Sequence, residues 1–152
     1  RQVAFEDAQF PEGSFDVALC SLMLHYLASY EEFLDAMRRW LCPGGTLIYT
    51  VEHPIFTAQG PQDWCYGPDG EILHFPVDHY FEEGERDAVF LGEHVVKYHR
   101  TLTTYLDGLA RHGFCLERVV EPQPTPEMVR DIPGMADELR RPMMLIVRAE
   151  RR

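Results

Sequence analysis

The run from Phe15 to Glu52 limits the fold more than any other part of the chain: FDVALCSLMLHYL, then SYEEFLDAMRRWL, then CPGGTLIYTVE. Phe15 to Cys20 is almost wholly apolar and lacks the polar alternation of a half-exposed strand, which predicts a strand covered on both faces. Ser29 and Glu32 form an S-x-x-E capping box. The helix they open carries Phe33, Leu34, Met37, Trp40 and Leu41 on one face, with Arg38 and Arg39 in its last turn, where cations favour the helix dipole. Pro43 cannot continue that helix, and Gly44 and Gly45 permit a sharp reversal into a second buried strand over Thr46 to Val51. A strand, a helix and a strand in this order predict one right-handed crossover unit of a parallel sheet.

Composition narrows the class. A chain of 152 residues that is 45% hydrophobic suits a single domain, 1–152. No stretch is apolar enough to cross a bilayer, and no charged-then-apolar leader opens the chain, so no membrane partner is expected. The net charge of -11 argues against nucleic acid, whose partners present a basic face. Cys20, Cys42, Cys65 and Cys115 form no C-x-x-C pair, which points away from zinc and disulfides and toward a cytoplasmic setting. His74, His79 and Asp78 do not have a recognised metal-ligand spacing, and no metal is expected.

Residues 54–100 exceed what a strand connection needs and are rich in aromatics, Phe56, Trp64, Tyr66, Phe75, Tyr80, Phe81, Phe90 and Tyr98. Gly67-Pro68-Asp69-Gly70 and Glu83-Gly84-Glu85 are turn signals that divide the stretch into short strands or a hairpin. It reads either as a substrate-covering insertion or as a small satellite core. Lys97 to Thr101 then opens a helix with Leu102, Tyr105, Leu106 and Leu109 on its face, closed by Gly113. A further helix over about Pro126 to Arg141, interrupted at Pro133-Gly134, carries Met128, Ile132 and Met135 as packing residues.

The order VAFEDAQFPEGSFDVALCSLMLHYL, then RRWLCPGGTLIYTVEHP, resembles the class I S-adenosylmethionine-dependent methyltransferases from their third strand onward. It continues through TYLDGLARHGFCLERVVEP and RRPMMLIVRAE. The resemblance implies an α/β, Rossmann-like methyltransferase sheet, incomplete here because the first two strands and the glycine-rich loop have no counterpart. The eleven glycines contain no G-x-G-x-G. The family's strand order, 3-2-1-4-5-7-6, would cut the VAFEDA strand off from the rest of its sheet. Residues 2–6 are therefore expected to pair with another chain, to pair beside the next strand, or to be poorly anchored. The chain is expected to begin inside a fold.

The resemblance also implies S-adenosyl-L-methionine as cofactor and a small-molecule acceptor. Asp7 and Ala8 match the positions that read the adenine, through a carboxylate and the next backbone N–H. Glu6, Cys20, Ser21 and His25 complete the expected cofactor wall. A hydrogen bond to a charged group contributes on the order of 1.5–3 kcal/mol, so each such contact changes affinity about tenfold or more. Tyr26 walls the site or packs under the next helix. His53, at the carboxyl end of the second strand, is the candidate general base, or a turn residue before Pro54. Trp64, Tyr98 and Arg100 are candidate substrate contacts, with Arg100 either clamping a substrate anion or neutralising nearby acids. The alternative function is a catalytically silent module that binds or self-associates through its exposed sheet edge.

Overall fold

The computed structural model describes residues 2–152. Four strands form the main sheet in the order β1-β2-β8-β7: β1 Phe15–Ser21, β2 Leu41–Glu52, β7 Phe114–Val120 and β8 Met144–Arg151. β1 and β2 are parallel, with Ser21 opposite Thr50, while β8 runs antiparallel to both β2 and β7. This is the 4-5-7-6 portion of the order that the resemblance implies. Because β8 is reversed, its first residue, Met144, faces Glu52 at the carboxyl end of β2.

Helix α1, Tyr30–Trp40, joins β1 to β2, and the Ser29 hydroxyl accepts the Glu32 N–H at 3.1 Å as its cap. Its expected face is buried: Phe33, Leu34, Met37 and Trp40 meet Leu47, Tyr49 and Val51 of β2 and Leu145, Val147 and Ala149 of β8. Each such side chain contributes about 1.5–3 kcal/mol on burial. Helix α3, Leu102–Arg111, adds Tyr105 and Leu109 to this layer. The Tyr30 hydroxyl donates to the Tyr105 carbonyl at 2.9 Å and lies 3.2 Å from the Tyr49 hydroxyl, which pins the two helices and the sheet together. At the Pro43-Gly44-Gly45 register shift a side chain on Gly45 would press within 2.8 Å of the Cys42 carbonyl, so only glycine fits.

Between β2 and α3 lie a short helix α2, Pro54–Thr57, and two hairpins. One pairs β3, Cys65–Tyr66, with β4, Ile72–His74; the other pairs β5, Gly84–Phe90, with β6, Glu93–His99. The second hairpin is clamped at its root. Arg86 donates to the carbonyls of Ala58, His79 and Glu82, and the Thr101 N–H and hydroxyl both donate to Glu83 Oε1, at 2.7 and 2.8 Å. Its tip is a Leu91-Gly92 turn with φ of 53° and 87°, the combination that matches strand twist in a two-residue hairpin.

Several expectations are corrected. The segment holding Val3 to Glu6 is not a strand: Phe5–Asp7 is a 3₁₀ turn, and the Phe5 ring packs on Phe33 and Trp40 with centroids 5.5 and 5.7 Å away. With no strand beside it, its backbone bonds to itself, Ala8 N–H to the Phe5 carbonyl at 3.0 Å. β1 is not covered on both faces, because it is the outermost strand among the described residues; Val17 is 58% and Leu19 71% exposed. Lys97 to His99 belong to β6, and α3 starts only after the Thr101 cap. The helix after residue 125 is short, α4 Pro126–Asp131, followed by a separate 3₁₀ turn at Asp137–Arg140. No residue of α4 is buried, so Met128 and, just after it, Ile132 are exposed, and of the three expected packing residues only Met135 is partly buried.

Candidate active site

The carboxyl ends of β1 and β2 lie side by side, which is where open α/β sheets take ligands. Ser21 ends β1, and its hydroxyl accepts from the Thr50 hydroxyl at 3.3 Å. Leu22 follows with φ of 51°, a left-handed conformation costly for a branched side chain. It is held there by its N–H, which donates to the Thr50 carbonyl at 2.9 Å. Leu24–Tyr26 then forms a 3₁₀ turn that buries His25.

His25 Nδ1 accepts the backbone N–H of Glu52 at 3.4 Å, so its proton sits on Nε2. Burial pushes its pKa down to about 4, helped by the Lys97 and Arg100 cations and opposed by Glu52. The ring is therefore neutral near pH 7. Tyr26 is not packed away as one reading expected: it is 40% exposed, with its ring against His25 at a centroid distance of 4.4 Å.

The β5–β6 hairpin closes over this edge and brings a buried cation with it. Lys97 is 2% exposed; its Nζ donates to Glu52 Oε1 at 2.6 Å and to Gln62 Oε1 at 2.7 Å. Gln62 Nε2 in turn donates to Glu52 Oε2 at 2.8 Å, closing a triangle. Above the ammonium lie the rings of Tyr26, 5.9 Å, and Phe90, 5.6 Å to the centroids. Sequence reasoning missed this cluster. The one signal for it was the alternation of β6, which sets Val95, Lys97 and His99 on one face, the face that turns inward.

The predicted residues fall in several places. His53 is at the end of β2 as expected and is fully buried, but both ring nitrogens face protein groups. Nδ1 accepts the Ile55 N–H at 3.1 Å as the cap of α2, and Nε2 lies 2.9 Å from Glu121 Oε1, off the axis of a well-aligned hydrogen bond. Burial lowers its pKa, against the pull of Glu121. The geometry leaves no lone pair of His53 directed at a substrate, which corrects the expectation of a free base. Arg100 is also buried, and donates to the carbonyls of Leu24, Leu27 and Ala28, fixing the loop after β1 instead of facing a ligand. Trp64 stands apart, with Phe56 and Phe75 around the Arg141 guanidinium, 4.7 to 4.8 Å from the three ring centroids. Tyr98 donates to Glu85 Oε1 at 3.3 Å on the outer face of the hairpin.

Cys20 and Ser21 line a largely apolar cavity of about 320 Å³ with Phe5, Met23 and Phe33. Glu6 and Ala8 line a second hollow of about 400 Å³ that shares Phe5 and Trp40 with the first. Asp7 is exposed and has no side-chain partner among the described residues, whereas the Ala8 N–H is taken by Phe5. Among the described residues no cluster of His, Cys, Asp and Glu could hold a metal ion, and no helix is long and apolar enough to cross a membrane.

This arrangement agrees with what the chain is similar to. A methyltransferase domain family model matches residues 1–49. A candidate S-adenosylmethionine dependent methyltransferase from Listeria monocytogenes is 47% identical, with a TM-score of 0.94 over the whole chain and 68% of its own. An S-adenosylmethionine dependent methyltransferase from Mesorhizobium loti is 38% identical, with a TM-score of 0.87 over 98% of the chain and 68% of its own. An uncharacterized protein of Haemophilus influenzae is 30% identical over 149 residues, and the chain spans 57% of that relative's length. Sheet order, ligand edge and these two solved relatives agree: the chain belongs to the S-adenosylmethionine-dependent methyltransferases.

Proposed function

We propose that the protein transfers a methyl group from S-adenosyl-L-methionine to a small-molecule acceptor at the carboxyl edge of β1 and β2. The observation that carries this reading is the edge itself, Ser21 to Tyr26 beside Glu52, roofed by the β5–β6 hairpin. The cofactor supplies a methyl carbon bonded to a positively charged sulfur, which leaves with the bonding electron pair. In part the residues present suit it. The apolar cavity beside Cys20 and Ser21 has the character an adenosyl group needs, and the unpaired Asp7 carboxylate is free to accept an amine hydrogen. Glu6, Ala8 and His25 remain members of the proposed set, with His25 acting as a neutral donor through Nε2. Ala8 contributes its N–H only if the Phe5–Asp7 turn opens.

On the acceptor side, residues 54–100 serve as the cover, with Tyr98 on its outer face, Trp64 packed on Arg141, and Arg100 at its end holding the loop after β1. His53 holds α2 in place through Nδ1 and does not take the acceptor's proton. All four cysteines are free thiols, which supports a cytoplasmic setting.

A second reading, an assembly module, is favoured by the exposed apolar residues Val17 and Leu19 on the outermost strand β1, an edge suited to pairing with another chain or a second copy. Calorimetric titration with S-adenosylhomocysteine separates the two. Micromolar binding by residues 1–152, or by a parent chain that contains them, supports the methyltransferase. Absence of binding in both overturns it and leaves the assembly reading.

A further inference from the structure

We infer that the acceptor is an anion, bound by its acidic group against the Lys97 ammonium between the rings of Tyr26 and Phe90. This rests on the methyl-transfer reading and names its substrate class. A neutral hydroxyl or amine acceptor needs a base to remove its proton, and among the described residues the buried groups of the edge are all engaged, while the exposed Glu121 carboxylate is turned to His53 Nε2 at 2.9 Å. His25 and His53 each accept a backbone N–H on Nδ1, and His99 accepts the Thr57 hydroxyl on Nδ1 at 2.8 Å while donating from Nε2 to the Tyr80 carbonyl at 2.9 Å. The Glu52 carboxylate is closed off by Lys97 and Gln62. An acceptor that arrives as a carboxylate, phenolate or enolate has no proton to surrender.

The charges agree with this. The buried charged groups around the edge are two cations, Lys97 and Arg100, and one carboxylate, Glu52, with the exposed Glu83 carboxylate held on Thr101 next to Arg100. Arg100 spends its donors on three backbone carbonyls. Lys97 uses two of its three N–H bonds on Glu52 and Gln62; the third has no polar partner among the described residues, and the Tyr26 and Phe90 rings lie within 6 Å of the nitrogen. Both rings are part exposed, Tyr26 at 40% and Phe90 at 49%, and together they cover the ammonium. Two aromatic walls around one donor fit a planar acid. Glu52 keeps the ammonium paired once the acceptor's charge is gone, which favours release of a neutral methylated product.

The test is titration of the protein, saturated with S-adenosylhomocysteine, with benzoate and phenylacetate and with their neutral amides. The expected result is that the acids bind at least about tenfold more tightly than the amides. Glu52→Gln, which frees the ammonium of its carboxylate, is expected to tighten acid binding at least about fivefold, and Lys97→Gln to abolish the preference. Amides that bind as well as acids, acids that do not bind, or an E52Q variant that does not gain affinity would overturn the inference. The E52Q arm stands even if K97Q fails to fold. Loss of S-adenosylhomocysteine binding with the acid preference intact would strike the methyl-transfer reading instead.

Discussion

Replacing Lys97 by Met tests the buried triangle as a structural device. The substitution keeps an apolar stem of similar length and removes the ammonium together with its hydrogen bonds to Glu52 and Gln62. It leaves the Glu52 carboxylate, 9% exposed as a side chain, with Gln62 Nε2 at 2.8 Å as its remaining side-chain donor. Removing one member of a buried pair costs about 3–5 kcal/mol, and the surviving Gln62 contact puts this case near the lower end, about 3 kcal/mol. For a domain of this size that is a fall in melting temperature of roughly 6–12 °C. Urea unfolding followed by circular dichroism would measure it. A double variant, Glu52→Met with Lys97→Met, removes both charges and should recover most of the loss, because the desolvation cost disappears with the pair. A loss below about 1 kcal/mol for K97M, the level of an exposed ion pair, would refute the reasoning. Additive effects of the two single changes would refute it as well.

Three further outcomes are expected. His25 has a folded pKa of about 4 against 6.5 in the unfolded chain, so between pH 6.5 and 4 the unfolded state takes the proton more readily than the folded one. Stability should fall by up to about 3 kcal/mol between pH 6.5 and 4, and His25→Asn, which keeps an acceptor for the Glu52 N–H, should flatten that part of the curve in chemical denaturation. Leu22→Gly relieves a left-handed leucine and should raise the urea midpoint by the equivalent of about 0.5 kcal/mol, with Leu22→Val moving it the other way. Gly108→Ala places a methyl 3.0 Å from the Tyr30 ring, which cannot retreat because its hydroxyl is tied to α3; a loss of about 1–3 kcal/mol in thermal unfolding is expected despite the better helix former.

Where the code is local, the sequence was legible. Ser29 with Glu32 and the α1 face from Phe33 to Trp40 act within a few residues of one another and formed as read. Leu41, expected on that face, already opens β2, and Pro43-Gly44-Gly45 make a register shift inside the strand in place of a turn before it. The apolar run of β1 was read correctly as a strand and wrongly as buried, since a run of Val, Ala and Leu says what the strand is but not which neighbours it meets. The Lys97–Glu52 pair spans 45 positions along the chain, and nothing near either residue announces the other. His53 shows the same limit from the other side. Its place at the strand end was readable, while the two contacts that decide its chemistry come from the next turn of chain and from Glu121 across the fold.

The β5–β6 hairpin is fastened most firmly at its root. Arg86, Glu83 and His99 tie its root to the residues around it, while Val89, Phe90 and Leu91 at the tip lie in solvent beyond the last of these ties. Mechanically it is a cantilever, and bending it lifts Phe90 off the Lys97 ammonium without breaking the strand pairs near the root. Access to the ammonium would then be timed by the stiffness of a few residues at the free end, and hydrogen exchange there should run well ahead of exchange at the fixed base.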